Sequence, residues 1–326
     1  MVRVALDAMG GDHAPAETVA GAVAAAAGGV DVVLVGDESE LKKLLDEHSA
    51  DLPVVHAPDV IAMGDDPARA IREKPNSSIV TCARLVKVGD ADGFVSAGST
   101  GAAMAAAAIV LGRVSRVLRP TIASVIPKPS GHTVVLDSGA NPEVKPDHLV
   151  QFAEMGSVLA EVYFDITEPR IGLLSIGEER GKGRALERET YDLLESAPVN
   201  FIGNVEGRDL GSDRVDVIVT DGFTGNVLLK TTEGVAAMVA QMVMLQLRDV
   251  DEGTRNTAFG ALEPLVRRLD YENTGGAHLL GAAGVVVIAH GSSSRRSVEN
   301  ALVMARDGAQ HDLVRRIGER IQQGSA

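Results

Sequence analysis

Short apolar, β-branched runs recur along the chain at residues 2–6, 32–35, 94–95, 133–136, 171–174, 215–219 and 285–288. Unbroken runs of this length predict strands buried on both faces, as in a parallel sheet. Between them, residues 16–27, 41–48, 102–111, 148–162 and 185–194 have helical length and apolar spacing. Strand and helix therefore alternate, which predicts an α/β fold with a doubly wound, mostly parallel sheet. No repeat of solenoid period and no low-complexity linker divides the chain, so residues 1–326 read as one unit, with length enough for two lobes around one cleft. After residue 226 the alternation breaks. A long Met-rich helical run at 227–247, a polar turn at 249–256 and a second run at 258–269 predict a protruding helical hairpin across 227–270.

Composition narrows the reading. Hydrophobic residues are 45% and charged residues 23%, which excludes wholesale disorder, and 35 glycines suit many tight strand-to-helix turns. A formal net charge of −14 argues against nucleic acid as a partner. Cys82 is the sole cysteine, so no internal disulfide is possible, and its helical setting suits packing rather than nucleophilic work. Asp7 and Asp12 interrupt the amino-terminal apolar stretch, and no unbroken apolar stretch reaches the length of a membrane span. The expected compartment is the cytoplasm.

The chemistry sits in the turns. Six strands run directly into polar, glycine-bearing turns at 7–13, 96–101, 137–141, 175–183, 220–226 and 289–293. Carboxyl ends of parallel strands share one edge, so these turns are expected to converge on one cleft. Gly98-Ser99-Thr100-Gly101 precedes an Ala-rich helix; its amides and hydroxyls suit either a phosphate or a plain helix cap. Gly10, Gly11, Asp12 and His13, with His290, belong to two further turns where an imidazole can meet an anion or stabilise its own turn. Lys182, between two glycines, is placed either as a solvated loop residue or as a mobile point charge beside an anion or developing oxyanion, with Glu178 or Glu179 orienting it. Asp221, Thr224, Gly225 and Asn226 stand at a helix mouth, where Asn226 either caps or donates to a carbonyl oxygen. The 177–183 segment lacks P-loop spacing, the histidines show no metal-ligand spacing, and no GxSxG elbow is present, so neither a cofactor nor a metal is expected. Met238, Met242, Met244 and Leu245 form a helical stripe that serves either the core or a partner surface.

In order and spacing, the turns at 7–15, 96–102, 139–141 with 151–156, 177–183, 203–207, 221–226 and 289–293 resemble those of the bacterial phosphate acyltransferases of the PlsX type over almost the whole chain. The resemblance implies a fold like that of phosphotransacetylases and isocitrate or isopropylmalate dehydrogenases, and a homodimer. It implies transfer of a long-chain acyl group from acyl carrier protein to inorganic phosphate for phospholipid synthesis. Related alternatives are a phosphotransacetylase acting on acyl-CoA and a non-catalytic carrier-protein scaffold. Lys182 and Asn226 match the expected catalytic positions, with Gly10–His13, Gly98–Gly101, Asn141, Glu178, Glu179, Asp221, Thr224, Gly225 and His290 binding phosphate or substrate. The resemblance also implies peripheral contact with the inner face of the membrane through the hairpin. This chain departs from it in the polar tip at 249–256 and in His278, expected at the cleft entrance.

Overall fold

Each strand predicted from the apolar runs is present in the computed structural model, which describes residues 2–269 and 271–324. The chain opens with β1 (Arg3–Asp7), α1 (Ala16–Ala27), β2 (Asp31–Gly36), α2 (Glu38–Glu47) and β3 (Val54–His56). It continues through α3 (Pro67–Glu73), α4 (Ser78–Val88), β4 (Gly93–Ser96) and α5 (Thr100–Ala106), which a π-helical turn (Ala107–Leu111) extends. Next come β5 (Thr121–Lys128), β6 (Gly131–Leu136), α6 (Pro146–Phe164), β7 (Arg170–Leu174), α7 (Ala185–Leu194), β8 (Asn200–Val205) and β9 (Val217–Val219). Helices α8 (Gly222–Gln246) and α9 (Glu252–Leu269) precede β10 (Ala277–Leu280), β11 (Val285–Ile288), α10 (Arg295–Gln310) and α11 (Leu313–Gly324).

The strands form one sheet in the order β3-β2-β1-β4-β11-β10-β5-β6-β9-β7-β8. Two parallel blocks, β3-β2-β1-β4-β11 and β6-β9-β7-β8, flank the antiparallel strands β10 and β5. Three successive antiparallel pairings reverse the second block relative to the first. The six turns therefore do not share one edge, as uniform parallel strands would require. They converge for another reason, which the register supplies. Ile288 at the carboxyl end of β11 pairs with Ala277, His278 beside it pairs with Ala123, and Ser124 pairs with Val135 near the carboxyl end of β6. Strand β5 serves the first block with Thr121–Ala123 and the second with Ser124–Lys128. Both blocks thus end at the level of Ala123 and Ser124, with their carboxyl ends facing each other along β5.

Helices cover both faces of each block. In β1, Ala5 packs into one apolar cluster with Phe94, Ala102 and Ala106, while Val4 and Leu6 pack into another with Val19, Val298 and Leu302. In the second block, α6 and α11 supply Phe152, Leu159 and Ile317 to one face, and Leu210 and Leu228 close the other. Burying the Val, Leu, Ile and Phe side chains among these contributes about 1.5–3 kcal/mol each relative to exposure. Cys82 is fully buried in the first of these clusters, and burial pushes its thiol well up, as expected of a packing residue.

Beyond Leu228 helix α8 leaves the core. Val235, Met238, Val239, Met242, Met244 and Leu245 are exposed, so the Met stripe is surface rather than core. A 3₁₀ turn (Leu247–Asp249) leads to α9, and the Arg255 guanidinium ties the turn by donating to the carbonyls of Leu247, Arg248 and Val250. Asp270, the last residue of the expected hairpin, lies outside the described residues. By length and composition, Gly222–Asp249 is apolar enough to cross a membrane, which corrects the expectation that no such segment exists. That expectation looked for an unbroken apolar run, and the few polar residues spread along this helix hide its average.

Candidate active site

The turns fall into two groups of three, one per block. In the first, the turns after β1, β4 and β11 meet backbone to backbone. A Cβ on Gly10 would stand 2.6 Å from Asp7 Oδ2 and 2.9 Å from the Gly98 nitrogen, so only glycine permits this approach. The Asp12 amide donates to the Gly291 carbonyl at 2.7 Å. Beneath them, the Gly98 amide donates to Ser96 Oγ (3.1 Å), which donates to Asp7 Oδ2 (2.7 Å). Asp7 Oδ1 is buried without a hydrogen bond, and burial pushes the Asp7 carboxyl above its usual range. Ser99 caps α5 through a long 3.4 Å bond from the Ala102 amide; Thr100 is exposed, and Gly101 leaves room for Pro67. His13 and His290 are both exposed at this rim, where His290 Nδ1 meets Ser292 Oγ at 2.8 Å.

In the second group, buried carboxylates organise the turns. Asp137 accepts from the amides of Ile122, Gly139, Ala140 and Asn141. Asn141, expected at the substrate, is buried and spends its side-chain amide on Asp137 and the Pro120 carbonyl. Gly225 passes so close to the β6 turn that a Cβ would fall 1.9 Å from the Asp137 carbonyl oxygen. Asp221 caps α8, accepting from the Thr224 amide and hydroxyl, both at 2.8 Å. Burial works against the Asp221 anion, but those bonds and the Arg184 guanidinium outweigh it and hold the carboxyl below its usual range. Asn226, one helical turn on, is exposed and faces Gly139.

Lys182 is exposed on the loop after β7, its Nζ 3.9 Å from Glu179 Oε2. Glu178 turns away to Arg214 at 2.7 Å, so Glu179 is the carboxylate that accompanies the lysine. The two blocks touch where Ala140 packs on the cluster containing Ala102 and Ala103 at the start of α5. Ile176, Phe223 and Val227 are apolar and exposed on the same two elements that carry Lys182 and Asn226. Two surface hollows, of about 430 and 540 Å³, lie instead by the opposite strand ends, lined by residues such as Lys128 and Arg170 or Glu161 and Asn200. His278, expected at the cleft entrance, is buried in β10 against the Tyr163 hydroxyl (2.7 Å), and burial lowers its pKa to about 4.

Sequence reading placed Asp7, Ser96 and Asp137 in the turns without giving them a role, and it missed Arg184. Asp7 and Asp137 are each the first residue after an apolar run, a position shared with the predicted turns that was a usable signal. Arg184 gave none, because its partner Asp221 is remote in sequence. Among the described residues no three His, Cys, Asp or Glu side chains cluster as a metal site.

Glycine-rich turns at the carboxyl end of one block, with an exposed loop cation and an exposed carboxamide at the carboxyl end of the other, suit an α/β transferase. The sequence model of the fatty acid synthesis protein family matches residues 2–316, and the chain belongs to that family. A relative from Desulforamulus reducens, named phosphate acyltransferase, is 47% identical over 99% of this chain and 98% of its own. The fold is similar to that of a phosphotransacetylase from Streptococcus pyogenes (TM-score 0.64, 16% identity, 95% of this chain and 94% of that one). It is also similar to a 4-hydroxythreonine-4-phosphate dehydrogenase from Burkholderia phymatum (TM-score 0.53, 14% identity, 94% and 98%).

Proposed function

We propose that the protein transfers a long-chain acyl group from acyl carrier protein to inorganic phosphate, yielding acyl phosphate for phospholipid synthesis. The observation that carries this reading is the pairing of Lys182 and Asn226 with exposed apolar side chains, Ile176, Phe223 and Val227, on the same loop and helix. A thioester with a greasy chain needs both. Phosphate rests on the amides and hydroxyls of Gly98–Gly101 with Gly10, Gly11, Asp12, His13 and His290 at the rim. A phosphate oxygen attacks the thioester carbonyl carbon, forming a C–O bond and a tetrahedral oxyanion. Asn226 donates to that oxygen and Lys182 neutralises the charge gathering on it or on the phosphate. Collapse breaks the C–S bond and the sulfur leaves as thiolate. No covalent acyl-enzyme is needed.

The acidic carrier protein needs a basic surface on a chain of net charge −14. Arg113, Arg116 and Arg119, all exposed, supply it. In a second basic group, Arg315, Arg316 and Arg320, two of the three are spent internally, since Arg315 pairs with Asp312 and Glu319 and Arg320 with Glu161. A homodimer in the cytoplasm, with the exposed face of α8 in contact with the inner face of the membrane or a second subunit, completes the reading.

The test is phosphate-dependent thiol release from a long-chain acyl carrier protein thioester, with hydroxylamine trapping of the product. Trapped hydroxamate that requires phosphate is the expected result. Lys182→Ala and Asn226→Ala each lower kcat by about 10²–10³-fold, the usual cost of an oxyanion contact, with the unfolding midpoint unchanged. Carrier-protein binding without release favours a scaffold, and faster release from short acyl-CoA favours a phosphotransacetylase.

A further inference from the structure

Lys182 and Asn226 belong to different elements, the loop after β7 and the helix after β9, and acting on one carbonyl requires their separation to be fixed. We propose that Arg184 is the positioning residue that fixes it, clamping the Lys182 loop to the first turn of α8 through Asp221. This inference rests on the assignment of Lys182 and Asn226 made above.

Arg184 lies two residues after Lys182, and Asp221 five before Asn226. The Arg184 Nη2 group bridges Asp221 Oδ2 and Glu187 Oε1, while its Nε donates to Glu187 Oε1 at 2.9 Å and its backbone amide to Glu187 Oε2 at 2.6 Å. The two carboxylate side chains are only 8% and 3% exposed, whereas the guanidinium side chain is 60% exposed. One planar cation therefore lies across two sunken anions, a geometry that suits the fork of arginine and not the point charge of lysine. Between the clamp and Lys182 stands Gly183, with φ +95°, packed so tightly that a Cβ would lie 2.7 Å from Glu187 Cβ. The chain from clamp to lysine has little slack. On the other side, Asp221 is held by both Thr224 groups, so force on its carboxylate is transmitted to the helix that carries Asn226.

The experiment compares Arg184→Gln, Arg184→Lys, Asp221→Asn, Lys182→Ala and the Lys182→Ala/Arg184→Gln double variant by phosphate-dependent thiol release, with thermal unfolding in parallel. Arg184→Gln is expected to lower kcat about 10- to 100-fold, the scale of a misplaced catalytic group, while KM for phosphate stays within about twofold. Asp221→Asn keeps a capping oxygen for the Thr224 amide but loses the charge, and is expected to reproduce that loss. Arg184→Lys, which reaches one carboxylate, recovers part of it and guards against a Gln variant that fails to fold. In the Lys182→Ala background, Arg184→Gln adds less than about threefold, because the clamp works through the lysine. Unchanged kcat in Arg184→Gln, whether or not its midpoint falls, overturns the clamp and leaves the assignment of Lys182 standing. So does a loss that multiplies fully with Lys182→Ala. Full turnover in Lys182→Ala alone removes the assignment itself, and the clamp with it.

Discussion

Around Gly10 the chain makes contact through its backbone. The Asp12 amide runs to the neighbouring turn at Gly291, the Gly98 amide closes its own turn on Ser96 Oγ, and one oxygen of the Asp7 carboxylate beneath them is without a hydrogen bond. Around Asp137 and Asp221 the reverse holds: each carboxylate is surrounded by donors, and side chains bind the turns together. The difference separates two tasks. On the proposed function, the glycine turns of the first block receive the anion, whereas the carboxylate-centred turns of the second hold the Lys182 loop and the Asn226 helix in register. Both blocks have the same βα grammar, so the division arises from the residues of the turn at each strand end and not from the strands.

The largest effect that tests this division comes from adding one methyl group to each side. Gly225→Ala drives a Cβ to 1.9 Å from the Asp137 carbonyl oxygen, a backbone atom that cannot swing away. It is expected to cost about 3 kcal/mol or more, read from urea unfolding. Gly10→Ala meets the Asp7 side chain first, at 2.6 Å, and is expected to cost about 1–3 kcal/mol while raising KM for phosphate. A Gly10 variant that is the less stable of the two, with KM unchanged, breaks the comparison.

How far this was legible in the sequence varies with the element. Strands buried on both faces show as unbroken apolar runs, and the run at Val285–Ile288 matches its strand to the residue. Strand β5, Thr-Ile-Ala-Ser-Val-Ile-Pro-Lys, was not legible, because it changes partners midway and carries a proline. Without β5 and β10, the reversal between blocks could not be read, nor could the grouping of turns into threes. The turn residues themselves were legible, since glycine and acid directly after an apolar run mark a strand end at a crevice. Partner choice was not. Glu178 and Glu179 look equivalent in sequence, and only the fold sends one to Arg214 and leaves the other by Lys182.

A middle-sized effect, opposite in sign on the two sides, concerns acids. The folded-state pKa of Asp221 is held below its ordinary value, so its stabilisation is present at neutral pH and is lost as pH falls through that depressed value. Asp221→Asn is expected to cost about 1–2 kcal/mol near pH 8, shrinking below about pH 4. The folded-state pKa of Asp7 is raised, so its contribution is fullest below about pH 4 and declines as pH rises through the raised value. Asp7→Asn is therefore expected to gain on the parent with rising pH. Urea midpoints at several pH values check both signs, and parallel trends in the two variants count against the contrast between blocks.

The smallest effect compares the two helix caps that open onto the crevice. Asp221 grips the Thr224 amide at 2.8 Å, whereas Ser99 reaches the Ala102 amide only at 3.4 Å, near the limit of a hydrogen bond. A good Ser cap is worth about 1 kcal/mol, and one this long is worth less, so Ser99→Ala is expected to cost at most about 0.5 kcal/mol. If the hydroxyl is loosely committed to the helix because it serves an anion, the same change raises KM for phosphate by several-fold while kcat hardly moves. A full capping loss in stability with KM unchanged makes Ser99 an ordinary cap, and leaves the backbone amides of the first block to hold the anion alone.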